Sequence, residues 1–189
     1  MAFNANYPPS AWLRGTYSTG WVFQGNALAA GDATFLEIDV IPQEYAHLML
    51  RIIGQQTTGS DPCVLTVNGV TTSTYDDVAM SVTNGSGPAS YSNTGAAGFY
   101  CGNLPTPNAP GSTIGGYTVI EIPFYSKTDW DKTALITNGY INNSISDNTV
   151  GISSQCNNDT TAITSVKFTS GGGNLIAGTV MQLYLMTVG

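Results

Sequence analysis

Apolar and polar residues alternate with a period of two along several short stretches of this chain of 189 residues. Within residues 35–40, for example, Leu36 and Ile38 alternate with Glu37 and Asp39. Successive side chains of a strand point to opposite faces, so this period predicts a strand that is buried on one face. Similar patterns predict further strands at residues 47–55, 63–68, 75–82, 97–101, 117–122, 132–141, 150–154, 162–169 and 179–187.

Turn residues separate these stretches. Residues 84–95 and 102–116 are rich in Gly, Ser, Asn or Pro and are predicted to be loops. The glycine-rich segment 170–174 predicts that the last two strands form a hairpin. About ten short strands, with no clear amphipathic helical pattern, indicate an all-β fold. We expect an antiparallel β-sandwich of jelly-roll type.

The first 31 residues differ from the remainder of the chain. They show no clear periodicity but are rich in aromatic residues, which disordered segments usually lack. We therefore expect an N-terminal extended arm over residues 1–31, followed by a β-sandwich domain over residues 32–189. The arm docks either on its own domain or on a neighbouring subunit, and the sequence leaves both alternatives open. Its predicted interface residues are Trp12, Tyr17, Trp21 and Phe23.

Charged residues make up only 9% of the chain, against about 25% in a typical globular domain. Neutral hydroxyl and amide side chains suit surfaces that pack against other proteins, and they are common in both particle coats and sugar-binding modules. The net charge of −7 provides no cationic field for phosphate, so we expect no nucleic-acid partner. No stretch approaches the ~20 apolar residues of a membrane span, so we expect no membrane partner.

Candidate catalytic and metal-binding residues are few. His47 is the only histidine, and no nucleophile motif lies near it, so a structural role is favoured and we expect no enzyme activity. The three cysteines, Cys63, Cys101 and Cys156, are widely spaced and include no CxxC pair. We expect free thiols, no metal site and no cofactor. A disulfide between Cys63 and Cys101 stays open.

Two acidic clusters could in principle serve chemistry. Asp76 and Asp77 are adjacent, and Asp129 and Asp131 flank Trp130. Calcium binding and glycosidase activity each need such carboxylates, but local hydrogen bonds at turns are the commoner use. Trp130, with Asp129 and Asp131, is the possible glycan contact, although packing in a core or interface is favoured over it.

Four short motifs follow one another between residues 41 and 184. They are Ile41-Pro42-Gln43-Glu44-Tyr45 before Leu48 and Leu50; Val64-Leu65-Thr66-Val67-Asn68-Gly69 before Tyr75; Ile120-Glu121-Ile122-Pro123-Phe124-Tyr125 before Lys132; and Ile163 to Phe168 before Gly172-Gly173-Asn174-Leu175 and Leu183-Tyr184. This ordered set, over residues 35–187, resembles a family of structural proteins from tailed bacteriophages. The chain departs from the family at Phe124, where the family has Asn, and at Val70, Leu175 and Leu185.

The resemblance implies a β-sandwich virion component and supplies no catalytic residues. We expect a capsid decoration or cement protein that binds the shell and stabilises it, located in the virion. Its expected partners are the major capsid protein or other virion proteins, and a homotrimer would match local capsid symmetry. Two alternatives stay open. One is a tail or fibre component that binds host glycans through loops 84–96 and 102–116 with Trp130, and the other is a carbohydrate-binding module.

Overall fold

The computed structural model describes residues 20–58, 62–72, 74–83, 86–107, 115–141 and 148–187, and these residues form β-strands, turns and irregular segments. Within these ranges no helix has the length and apolar character that a membrane span requires. The strands are β1 (Val22–Leu28), β2 (Phe35–Ile38), β3 (His47–Gly54), β4 (Val64–Val67), β5 (Tyr75–Thr83), β6 (Ala89–Ala96), β7 (Phe99–Tyr100), β8 (Gly116–Pro123), β9 (Lys132–Ile141), β10 (Asn148–Asn157), β11 (Val166–Thr169) and β12 (Val180–Met186).

Eight of the strands pair as one long antiparallel ribbon that is folded over on itself. In this ribbon β1 pairs with β12, β2 with β11, β3 with β8 and β4 with β7. Successive pairs belong to alternate sheets: β1, β12, β3 and β8 are neighbours in one sheet, and β2, β11, β4 and β7 form the other. This connectivity is that of a jelly roll, so the predicted fold class is confirmed.

Four further strands widen one of the two sheets. The larger sheet has the order β1-β12-β3-β8-β9-β10-β5-β6, whereas the smaller sheet keeps four strands. The additional strands come from two insertions in the ribbon, β5–β6 between β4 and β7, and β9–β10 between β8 and β11. The large sheet is therefore wider than the small sheet that packs on it. We call β9, β10, β5 and β6 the overhang.

The core lies between the two sheets. Strand β3 illustrates how one face of a strand is buried in this core. Leu48, Leu50 and Ile52 are fully buried, whereas Arg51, which points to the other face, is exposed. Tyr75 of the overhang packs edge-on against Phe99 of the small sheet, with ring centroids 4.8 Å apart. This contact ties the inserted strands to the jelly roll, because both rings are fully buried in the same apolar cluster.

The N-terminal segment is partly a strand of the sandwich. Val22–Leu28 forms β1 and pairs with β12 along the edge of the large sheet. For these residues the structure shows the first of the two alternatives, in which the segment docks on its own domain. Its residues alternate only weakly between half-buried and exposed, which is why the sequence shows no clear period. Trp12 and Tyr17 lie outside the described residues.

Two other local predictions are wrong. Residues 84–95 were expected to form a loop, but Ala89–Ala96 forms the edge strand β6, and nearly all its residues are exposed, so no alternation marks it. The expected hairpin between the last two strands does not form, because β11 pairs with β2 and β4 while β12 pairs with β1 and β3. The glycine-rich segment instead crosses between the sheets.

Candidate functional site

The outer face of the large sheet, which is turned away from the small sheet, has an unusual composition. One row of neighbouring positions crosses seven strands with only apolar, aromatic or glycine residues: Leu28, Val180, Ile53, Tyr117, Gly139, Val150 and Val82. The next row contains Val119, Thr137, Ile152 and Met80. Cross-strand neighbours on one face lie about 5 Å apart, so these side chains form a continuous surface.

Two strands of the overhang place small residues on the inward side and large apolar residues on the outward side, which reverses the usual pattern of a surface strand. On β10, the small residues Gly151 and Ser153 face inward and are buried, while Val150 and Ile152 are 67% and 44% exposed. On β5, Ala79 is buried whereas its neighbours Val78 and Met80 face solvent. A free surface would favour polar residues at the outward positions. The reversal therefore leaves large apolar side chains in solvent on this face.

We define the apolar patch by the eight large side chains on the outer face of β3, β8, β9, β10 and β5 that are at least 40% exposed: Ile53, Val78, Met80, Val82, Tyr117, Leu135, Val150 and Ile152. A shallow depression of about 450 Å³ lies in its centre, between Tyr117, Val150 and Met80. Taking ~150–200 Å² for a fully exposed large side chain, the patch presents roughly 700 Å² of apolar surface. A patch larger than a few hundred Å² marks an interaction site on most proteins.

Charged residues lie only at the margin of the apolar patch. Arg51 is the cross-strand neighbour of Val119, and Glu121 is the neighbour of Leu135. The central positions on β8, β9, β10 and β5 carry no ionisable group except the Tyr117 phenol. The centre of the patch is consequently neutral and apolar.

A cleft of about 290 Å³ lies on the other side of the overhang, beside the edge of the small sheet. Gln155 of β10 holds that edge in place, since the Tyr100 N–H donates to Gln155 Oε1 at 2.8 Å and Gln155 Nε2 donates to the Tyr100 carbonyl at 2.6 Å. Uncharged residues line the cleft: Pro62, Ala79, Met80, Ser81, Thr83, Tyr91, Tyr100, Gly102, Asn103, Asn138, Tyr140, Thr149, Gly151, Ile152 and Ser153.

The predicted glycan contacts lie elsewhere. Residues from both predicted glycan loops, Tyr91 and Asn103 among them, line the cleft, but Trp130 does not. The Trp130 ring packs edge-on against Phe124 at 5.1 Å, and Phe124 packs on His47 at 5.0 Å. Asp129 and Asp131 are exposed beside it. Their contact with a glycan stays a prediction.

Phe124 occupies a strained position in this aromatic cluster. Its φ of 51° lies in the left-handed region, which a bulky side chain rarely adopts and which Asn tolerates better. The resembled family has Asn at this position, so the family residue suits the turn and the phenylalanine does not. The ring contacts with His47 and Trp130 offset part of the cost.

Lys132 anchors the loop that carries Trp130. Its ammonium is buried and donates to the carbonyls of Lys127, Trp130 and Thr160 at 2.5, 2.8 and 2.9 Å. Burial lowers the pKa of Lys132, and the carboxylates of Asp159, Asp129 and Asp131 partly oppose this change. The carboxylates of Asp129 and Asp131 thus favour the charged form of Lys132.

The described part of the predicted interface segment lies at the opposite edge of the large sheet. The Phe23 ring packs edge-on against Tyr184 at 5.5 Å, and the Arg51 guanidinium lies over the same Tyr184 ring at 5.5 Å. Phe23 is about half exposed, and Trp21 is 37% exposed. Both are therefore accessible to a partner, although part of each ring already contacts its own domain.

Cys63 and Cys101 lie in environments that suit unreactive thiols. The thiols are free: Cys63 donates to Gln56 Oε1 at 3.4 Å and Cys101 donates to the Phe99 carbonyl at 3.3 Å. Burial raises the pKa of Cys63 to about 11 and that of Cys101 well above its usual value, which disfavours the reactive thiolate. Among the described residues, no three His, Cys, Asp or Glu side chains group as they would around a metal ion.

Asp76 and Asp77 each fasten the edge strand β6. The Gly95 N–H donates to Asp76 Oδ1 at 3.0 Å, and the Asn93 N–H donates to Asp77 Oδ1 at 2.8 Å. Adjacent residues of a strand point to opposite faces, so the two carboxylates do not form one site. They instead stabilise an irregular part of the β5–β6 pairing.

Comparisons with known proteins add little. No protein-family model matches the chain, and no curated protein matches it. Among solved structures, a crystal structure of a protein of unknown function from Shewanella oneidensis MR-1 is similar at 10% identity, over 89% of this chain and 74% of that chain. The TM-score of 0.21 is too low for this likeness to support an argument.

Proposed function

We propose that this protein is a structural component of a tailed-bacteriophage virion, a capsid decoration or cement protein that docks on the shell through the apolar patch. The observation that carries the proposal is the reversed orientation of β5 and β10, which places Val78, Met80, Val82, Val150 and Ile152 in solvent. The order of motifs that resembles phage structural proteins supplies the kind of partner.

The size of the apolar patch supports a stable contact. Its roughly 700 Å² is close to the ~800 Å² that each partner contributes to an interface of standard size. At about 25 cal/mol per Å², burying it contributes roughly 17 kcal/mol before the cost of association, which is about 4–15 kcal/mol. The difference is roughly 2–13 kcal/mol in favour of binding, so burial of the patch exceeds the cost of association.

The charge of the patch supports a neutral protein partner. The apolar centre favours the outer surface of capsid subunits over a nucleic acid or another strongly charged surface. We propose a homotrimer, because threefold symmetry would place one patch on each subunit around a local axis of the shell. Trp21 and Phe23 then add contacts at the edge of the large sheet, and Trp12 and Tyr17 stay predicted interface residues.

A binding assay with matched variants tests the proposal. Purified protein is mixed with particles that lack it, and bound protein is measured after sedimentation. Val150→Asp and Val82→Asp each bury a charge in the proposed contact and are expected to reduce binding at least tenfold. Val40→Asp is the control, since Val40 is 79% exposed and lies outside the patch. Equal binding by all three variants would contradict the proposal.

A further inference from the structure

The cleft under the overhang is a second surface with a chemistry of its own. It exists because the inserted strands extend past the small sheet, so that Ser81, Thr83 and Thr149 face the edge of β7 and not the core. Most of the apolar patch is on the opposite side of the same strands, and Met80 and Ile152 border both surfaces. Tyr117 and Val150 belong to the patch and do not line the cleft, so they distinguish the two surfaces.

The side chains of the cleft fit one class of ligand. Four hydroxyl groups from Ser and Thr, two Asn amides and three tyrosines line it, and none of the lining residues is charged. Hydroxyl and amide groups exchange hydrogen bonds with a polyhydroxylated ligand, while tyrosine faces pack on its C–H surface. The absence of charge from the lining favours a neutral ligand. We propose that the cleft binds a neutral saccharide.

Tyr91 is accessible to such a ligand and can donate a hydrogen bond to it. Tyr91 is 47% exposed, so its ring is accessible. Burial of the phenol raises the pKa of Tyr91, and the nearby Asp77 and Tyr100 raise it further, which keeps the hydroxyl protonated as a donor. A volume of about 290 Å³ is near the lower end for small-molecule sites and suits about one or two sugar rings.

Two glycines leave room for the Asn138 amide at the cleft. A Cβ atom at Gly102 would lie 2.1 Å from Asn138 Nδ2, and one at Gly151 would lie 2.5 Å from Asn138 Oδ1. Any other residue at either position would require the amide to move. Gly102 also has a φ of 73°, which favours glycine. Glycine at both positions therefore keeps the space in which the Asn138 amide lines the cleft.

Asp77 lies near the cleft in the chain but does not line it. It is two residues from the lining residue Ala79 on the same face of β5, and it is 4% exposed. Its Oδ1 accepts the Asn93 N–H, so the carboxylate fastens the β5–β6 pairing. The ligand contacts of the cleft are therefore the uncharged side chains that line it.

An array of saccharides tests the proposal. The full-length protein is probed with immobilised neutral hexose and N-acetylhexosamine oligosaccharides, alongside sialylated and sulfated ones, and hits are quantified by calorimetry. We expect binding to neutral saccharides only. Tyr91→Ala and Asn138→Ala should each weaken it about tenfold or more, which corresponds to about 1.4 kcal/mol. The control Trp130→Ala removes an exposed aromatic residue outside the cleft and should bind like wild type.

The outcomes separate this proposal from the one on the capsid. Val150→Asp should lose particle binding and keep saccharide binding, and Tyr91→Ala should do the reverse. Circular dichroism confirms that each variant is folded. The proposal is overturned if no neutral saccharide binds at millimolar concentration. It is equally overturned if Trp130→Ala abolishes binding while Tyr91→Ala leaves it unchanged.

Discussion

Replacing Lys132 by methionine should strongly destabilise the fold. The substitution keeps an unbranched side chain of similar length in a site that is 1% exposed, but it removes the ammonium that three carbonyls share. Two of these carbonyls belong to the turn after β8, and the third belongs to the segment after β10, so the ammonium joins two loops. Each hydrogen bond from a charged donor contributes about 1.5–3 kcal/mol.

The three contributions are not additive, because the freed carbonyls partly reach water and the cost of burying the charge disappears. We therefore expect Lys132→Met to lower the free energy of unfolding by ~3–5 kcal/mol, as removing one partner of a buried ionic contact does. The melting temperature should fall by roughly 10 °C. Urea denaturation followed by tryptophan fluorescence measures the change.

The matched control is Lys167→Met. Lys167 is half-buried on β11, and its ammonium lies 3.8 Å from the centre of the Phe35 ring. Losing this single cation–π contact should cost ~0.5–1 kcal/mol. If Lys132→Met costs no more than Lys167→Met, the three carbonyl contacts do not anchor the loops, and the reasoning above is refuted.

Four further predictions concern turns and thiols. Asn68→Ala should lower the free energy of unfolding by ~2–4 kcal/mol in urea denaturation, because the Asn68 side chain donates one hydrogen bond to the segment before β11 and accepts three from it; a loss below ~1 kcal/mol would contradict this. Phe124→Asn should change the free energy of unfolding by less than ~1 kcal/mol, since relief of the strained φ offsets the lost ring contacts. A larger loss would show that the ring contacts contribute more than the strain costs. Native protein should react with one equivalent of iodoacetamide, at Cys156, and denatured protein with three; native labelling of Cys63 or Cys101, detected by mass spectrometry, would show that the core opens. Folding raises the pKa of the Cys63 thiol from 9.0 to about 11, so the thiol keeps its proton in the folded state over a pH range in which the unfolded thiol loses it. This contribution to stability is complete below about pH 9 and is lost as the pH rises towards about 11. The urea midpoint of Cys63→Ala should therefore fall less than that of the wild type between these two pH values.

The sequence predicts strands that are buried on one face and misses those that are not. Residues 132–141 were predicted as a strand and form β9 with the same bounds, because Ala134 and Ile136 face the core and alternate with exposed residues. Strands β1 and β6 lie at the two edges of the large sheet, where neither face is fully buried, so hydrophobic period gives no signal. Their pairing with β12 and β5 decides their conformation.

The local sequence pattern also does not predict which of the two sheets a strand belongs to. The last two strands and their glycine-rich connection have the local features of a hairpin, yet each pairs with a strand more than a hundred residues away in the chain. In the jelly roll, the partner of a strand is set by the folding of the whole ribbon. A short-range signal such as Gly172-Gly173 consequently identifies a turn without identifying what it connects.

The candidate surfaces were predictable only in part. Trp21 and Phe23 were singled out from the sequence and are accessible, whereas the apolar patch was missed. Alternation on β10 would ordinarily assign Val150 and Ile152 to the core, and only the structure shows that Gly151 and Ser153 occupy that side. The signal that could have indicated the patch is the small size of the residues between them, which leaves little to bury on the other face.

The face of the protein that touches the shell is the most direct test of the central claim. A cryo-electron microscopy reconstruction of particles saturated with this protein shows which sheet lies against the capsid. The account predicts that the outer face of the large sheet, with Tyr117, Val150 and Ile152, is covered by capsid subunits. A reconstruction in which these side chains face solvent, or in which the particles carry no additional density, would contradict it.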